Sequence, residues 1–154
     1  MKRLIFILII FSNLIIYSQT SEIKWHTDLS KVVPISIKQD KPILLFFTGS
    51  DWCGWCRRLQ SEVFAFKQFI DWSNENVILV ELDFPRRKQL PAPLLQQNRE
   101  LARVFGVSGY PTIWIVTPQI IEENKVNFNK LGSLGYVAGG PDKWINVANN
   151  FISK

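Results

Sequence analysis

Apolar residues fall along this chain in three patterns. Leu4 to Tyr17 is an apolar run of about fourteen residues, interrupted by Ser12 and Asn13. Ile43–Phe47 is much shorter and has no polar alternation, which predicts a strand buried on both faces. Val77–Phe84 predicts a second buried strand, and Thr112–Val116, β-branched and aromatic, a third. Elsewhere the apolar spacing is helical. Leu59, Val63 and Phe66, with Phe64 beside them, predict a helix that opens near position 53 and buries one face. A further helical piece over about 67–74 continues it after a bend. Trp144, Ile145, Ala148 and Phe151 predict a last helix, started by Pro141-Asp142. Asp28 or Ser30 caps a first helix running to about Gln39, where Pro34 either kinks the helix or marks its first turn. Leu94 or Asn98 starts another, ending at Phe105. Glu22 to Thr27 reads as a lead-in. Residues 118–130 are polar and Asn-rich with no clear period, and Leu131–Val137 predicts an edge strand interrupted by Gly132 and Gly135.

Helix, strand, helix, strand, helix, strand, strand, helix predicts an α/β fold. A parallel βαβ half is followed by a hairpin-like half, giving one mixed central sheet with helices on both faces. There is no internal repeat. Lys2 and Arg3 ahead of the first apolar run, and Ser18-Gln-Thr-Ser21 behind it, have the layout of a secretory signal peptide over residues 1–20. The run is short for a membrane span, which needs about 20 residues, and an uncleaved N-terminal membrane anchor is the alternative. Cleavage is expected between Ser18 and Ser21. The expectation is an exported, periplasmic protein whose residues 21–154 form one domain. The formal charge of +5 falls to +3 without Lys2 and Arg3, too mild to argue for nucleic acid as a partner.

The two cysteines change this picture most. Cys53 and Cys56 stand in Trp52-Cys-Gly-Trp-Cys56, directly between a buried strand and a helix. Unpaired backbone N–H groups and the helix dipole stabilise a thiolate at a helix N-terminus. A disulfide between residues three apart closes too small a loop to remove much chain entropy, so a purely structural bridge explains the pair poorly. Zinc needs about four Cys or His ligands, against two cysteines and one histidine, His26. Haem attachment would want histidine after the second cysteine, where Arg57 stands. No cofactor is implied. Trp52 reads equally as packing beneath the loop and as substrate contact, whereas Trp55, between the cysteines, reads better as contact with a partner.

Three features together resemble the thioredoxin superfamily: strand–turn–Trp-Cys-x-x-Cys–helix over 43–66, Tyr110-Pro111-Thr112 just before a strand, and the element order from about residue 23 to 154. More narrowly, Phe47-Thr-Gly-Ser-Asp-Trp-Cys-Gly-Trp-Cys56, Glu62-Val-Phe64 and the insertion after Leu82-Asp-Phe84 resemble small exported bacterial thioredoxin-like proteins. They are also similar to the C-terminal domain of the membrane thiol:disulfide interchange reductase. The resemblance implies a thioredoxin-like fold. It implies Cys53 as exposed nucleophile, Cys56 as buried resolving thiol, a cis Pro111 facing the pair, and the backbone of Tyr110 docking an extended substrate. Two departures stand out. The strand before the motif lacks the family's buried acid, leaving Glu81 or Asp83 on the neighbouring strand as substitutes. Trp55 also replaces the proline of thioredoxin, and since that dipeptide helps set the potential, the direction of electron flow stays open.

The expected function is thiol–disulfide exchange on protein disulfides through Cys53 and Cys56, by reduction or isomerisation, with a membrane partner as electron donor. The alternative is a peptide-binding or chaperone module with an inert disulfide. Arg86-Arg87-Lys88 reads first as a solvated loop. Its strand, parallel to 43–47, would nonetheless deliver it to the sheet edge carrying the cysteines, where a basic loop could select acidic partners.

Overall fold

The computed structural model describes residues 22–122 and 125–152. The signal-peptide expectation over residues 1–20 lies outside the described residues. Among those described, no helix is long and apolar enough to cross a membrane.

The apolar runs become the centre of a five-stranded sheet with order β1-β3-β2-β4-β5. Strand β2, Ile43–Thr48, is buried at every position, as its unbroken apolar sequence requires. It pairs in parallel with β3, Ile78–Asp83, and antiparallel with β4, Thr112–Glu122. Its alternate residues feed two cores. Leu44 and Phe46 face one, built with Leu59, Val63, Phe69, Trp72 and Trp144. Ile43, Leu45 and Phe47 face the other, built with Leu29, Val32, Val33, Leu101 and Phe105. Helices α1, Leu29–Gln39, and α4, Ala92–Val104, cover the second core. Helices α2, Gly54–Leu59, α3, Lys67–Asn76, and α5, Gly140–Ile152, cover the first. This is the expected mixed sheet with helices on both faces.

Local chemistry sets the helix ends. Asp28 caps α1, accepting from the Ser30 backbone N–H at 3.1 Å and the Ser30 hydroxyl at 2.6 Å. Pro34 is inside that helix, on its exposed side. A π-helical turn, Gln60–Phe64, follows α2 and supplies the expected bend before α3. Helix α4 begins at Ala92, earlier than Leu94, because Pro91 and Pro93 suit a first turn whose N–H groups have no partner in any case.

Two expectations are corrected. The lead-in contains a short strand β1, Trp25–His26, parallel to β3 at the sheet edge, too short to show a period. The described part of the stretch read as aperiodic is also strand. β4 continues to Glu122, and β5 is Lys125–Leu134 rather than 131–137. These outer halves project beyond the cores with both faces largely in water, so backbone pairing holds them without alternation in sequence. Gly132 has a packing reason: a Cβ there would come within 2.2 Å of the Phe151 ring.

Candidate active site

The turn that ends β2 is shaped by its own small residues. Gly49 is buried, and a Cβ there would meet the Trp52 indole at 2.4 Å. The Gly49 carbonyl accepts from the N–H groups of Trp52, at 3.1 Å, and Cys53, at 2.8 Å, bringing the chain tightly round into α2. Cys53 is the N-cap of α2, its sulfur accepting from the Cys56 N–H at 3.1 Å. The two sulfurs are bonded at 2.09 Å with Cα atoms 5.3 Å apart.

Neither sulfur-bearing residue is open to solvent: Cys53 is 5% exposed and Cys56 0%. This corrects the expectation of an exposed Cys53. A sulfur serving as helix cap turns inward toward the N–H it accepts from. Trp55, 55% exposed, is what solvent meets instead. Its ring lies 5.3 Å from that of Tyr136, and the Arg58 guanidinium is 5.2 Å from both ring centroids. Glu62 binds Arg58 Nε at 2.6 Å and accepts a hydrogen bond from the Tyr136 hydroxyl, fixing this group beside the disulfide. Those two donors hold the Glu62 carboxyl below its ordinary range, the tyrosine first. Tyr136 is a site residue that the sequence pattern does not reveal. It follows β5, and only the return of that strand brings it to position 55.

The Tyr110–Pro111 peptide is cis, as expected. The Tyr110 ring packs edge-on to Trp52 at 5.6 Å and against Phe84 at 5.3 Å, and burial pushes its phenol upward. Trp52 donates from Nε1 to the Phe84 carbonyl at 2.8 Å. That bond and its ring contacts make it the packing residue beneath the loop.

The two acids of β3 face different surroundings. Asp83 accepts from the Ser50 N–H at 2.8 Å and hydroxyl at 2.7 Å, and pairs with Lys88 at 2.9 Å, so it shapes the turn before Cys53. Glu81 pairs in register with Phe46 and therefore points to the core that contains the cysteines. It lines a cavity of about 230 Å³ with Phe46, Gln60 and Phe64. Burial chiefly, and then the Asp83 charge, push its carboxyl above its ordinary value, with Lys88 opposing.

A raised carboxyl binds its proton more tightly in the folded state. Its stabilising share is complete below the unfolded value of about 4.3 and is lost as pH rises through the higher folded value. Glu81→Gln removes this dependence. Denaturant titrations at pH 4 and pH 7 should show the variant gaining on the wild type at the higher pH. A gap that does not change with pH would assign Glu81 an ordinary, unperturbed carboxyl.

A disulfide at the start of the helix after β2, a cis proline just before β4 and a mixed five-stranded sheet together define a thioredoxin-like protein. The chain belongs to the thioredoxin-like domain family, whose sequence model matches residues 31–119. It is 35% identical over 102 residues to the disulfide bond reductase DsbH of Chlamydia pneumoniae, an alignment covering 66% of this chain and 61% of that protein. It is 27% identical over 120 residues to the thioredoxin-related protein DsbJ of the same organism, covering 78% of this chain and 33% of that one. The chain therefore spans less than two thirds of the length of either relative. A solved DsbH oxidoreductase superposes with a TM-score of 0.74 at 28% identity, over 86% of this chain and 85% of that one. A thioredoxin from Thermus thermophilus shares the fold, with a TM-score of 0.59 at 13% identity, over 81% and 83% of the two chains.

Proposed function

We propose that this protein is a thiol–disulfide oxidoreductase that reduces disulfides in other proteins. The observation that carries the reading is the Cys53–Cys56 disulfide at the start of α2, with Cys53 as the helix cap, in a chain that also has a cis Tyr110–Pro111 bond before β4. In the reduced chain, the Cys53 thiolate attacks one sulfur of a substrate disulfide. That bond breaks, the distal substrate sulfur leaves as a thiolate and takes up a proton, and a mixed disulfide forms at Cys53. Cys56, deprotonated, then attacks Cys53 Sγ. The second substrate thiol is released and the Cys53–Cys56 bond is restored. Two electrons have passed from the chain's dithiol to the substrate.

The Cys56 N–H at 3.1 Å from Cys53 Sγ supports the assignment of the attacking thiolate, since a charged sulfur there keeps a hydrogen-bond donor. Burial of Cys56 at 0% exposure supports its role as the second, shielded thiol. Trp55, exposed between the cysteines, and the backbone at Tyr110, ahead of the cis Pro111, are the groups we assign to hold an extended substrate segment. The direction, reduction, is taken from the similarity to the reductase DsbH. Export to the periplasm, removal of residues 1–20 and a membrane-bound electron donor complete the proposal. N-terminal sequencing of protein recovered from the periplasmic fraction tests the first two.

Insulin precipitation by the chain in dithiothreitol tests the chemistry. The wild type should accelerate it and Cys53→Ser should fall to the uncatalysed rate. A wild type that binds insulin peptides without reducing them would instead be a peptide-holding module with an inert disulfide.

A further inference from the structure

We propose that the rim beside the Cys53–Cys56 pair selects protein segments that carry acidic residues next to their own cysteine. The proposal rests on the oxidoreductase reading and names its substrate class.

The loop after β3 is fastened to the turn that leads into Cys53. The Asp51 carboxylate accepts from three successive backbone N–H groups, those of Arg86 at 3.0 Å, Arg87 at 2.7 Å and Lys88 at 3.3 Å. Asp83 ties the same two segments through Ser50 and Lys88. Three backbone bonds fix where this loop's side chains begin, so its arginines are anchored beside the turn that leads into Cys53.

Most of the nearby negative charge is paired with cations, Asp83 with Lys88 and Glu62 with Arg58, while Asp51 stays ionised and offsets one positive charge of the rim. Asp51 is fixed by backbone N–H groups, Asp83 is buried against Ser50 and Lys88, and Glu62 is held by Arg58 and Tyr136. Among the described residues, Arg57, Arg86 and Arg87 are exposed and none is in an ion pair. Arg57 directly follows Cys56. The Arg86 guanidinium lies 3.8 Å above the Trp52 ring, and Trp52 in turn touches Tyr110, the residue before the cis proline. Cations therefore stand one residue past Cys56 on the helix and over Trp52, the residue before Cys53. A guanidinium matches a carboxylate geometrically, and a flat one stacked on indole is already oriented to receive it. Charges at such a rim act chiefly on the rate of productive encounter.

The test uses the reduced full chain and three disulfide-linked peptides, identical except for glutamate, serine or lysine on either side of the cysteine. Each exchange moves two electrons: the peptide disulfide becomes two thiols as Cys53 and Cys56 close. Rates are divided by those of the same peptides with dithiothreitol, which removes their intrinsic reactivity. At about 0.01 M ionic strength, where the screening length is about 30 Å, the glutamate peptide should react roughly tenfold faster than the lysine peptide. That ratio should fall toward one at about 1 M salt, where the length is about 3 Å. Arg86→Ser/Arg87→Ser, which keeps the backbone donors and the Lys88–Asp83 pair, should cut the low-salt ratio below about threefold by the same steering argument. Arg86→Ser/Arg87→Glu, which removes three positive charges from the rim instead of two, should lower it further. Equal normalised rates for glutamate and lysine peptides at low salt would overturn the proposal, as would a ratio unchanged in both variants. If no peptide, the serine one included, is reduced, the oxidoreductase reading fails and this inference fails with it.

Discussion

Cys56→Ser is expected to turn a catalyst into a trap. The first half of the exchange needs only Cys53, whose position as the cap of α2 does not depend on the second thiol. The second half needs a nucleophile at the Cys56 sulfur, which in the oxidised chain is bonded to Cys53 at 2.09 Å. A serine hydroxyl in that buried place is not a thiolate and does not release the partner, so the mixed disulfide persists. Cells producing Cys56→Ser should show ladders of covalent adducts on non-reducing gels that vanish with dithiothreitol. Cys53→Ser should show none, and multiple turnover should be lost by orders of magnitude in both variants. Adducts of equal intensity from the two variants would mean that either sulfur attacks, and would cancel the assignment of roles.

Trp144→Ala should cost the domain a large part of its stability. Trp144 is 0% exposed and lies within about 6 Å, centroid to centroid, of Phe64, Phe69 and Trp72. Its indole N–H donates to the Gly135 carbonyl at 3.1 Å. Through these contacts one side chain joins α5 to the π-helical turn behind the cysteines, to α3, and to the segment before Tyr136. Removing a buried tryptophan costs about 3–5 kcal/mol, against a total of about 5–15 kcal/mol for an ordinary domain. Equilibrium urea denaturation should show the midpoint falling steeply with little change in slope. Trp144→Phe should lose much less, since most of the volume stays. A loss below about 1 kcal/mol for the alanine variant would mean that the surrounding rings collapse into the space.

The proposed chemistry and the aromatic packing meet at one place. The cysteines belong to the same core as Phe46, Phe64 and Trp144, so the pair rests on rigid aromatic packing while its outer face is assembled from loops. Loops held by side-chain carboxylates, as Asp51 and Asp83 hold the turn and the connector, can carry specificity without disturbing the sulfurs beneath.

The sequence by itself determined the elements whose signal is local. Ile43–Phe47 could only be a buried strand, because no position offers a polar face to water. Cys53 and Cys56 could pair because residues three apart at the start of a helix lie within reach of one another. The parallel and antiparallel neighbours of that strand followed from element order and handedness, and placed the basic connector at the right edge. What only the tertiary structure decided has no local signature. The hairpin of β4 and β5 extends through polar, Asn-rich sequence because pairing between strands, not burial of one face, holds it. Tyr136 reaches Trp55 from eighty-one positions away through the return of β5 and the loop after it. Asp51 is a clasp for a loop thirty-five residues on, and hydrogen bonds at that separation exist only after the chain has folded. Solvent access to Cys53 was likewise settled by the fold: a sulfur that caps a helix points inward, and no residue type or spacing records that direction.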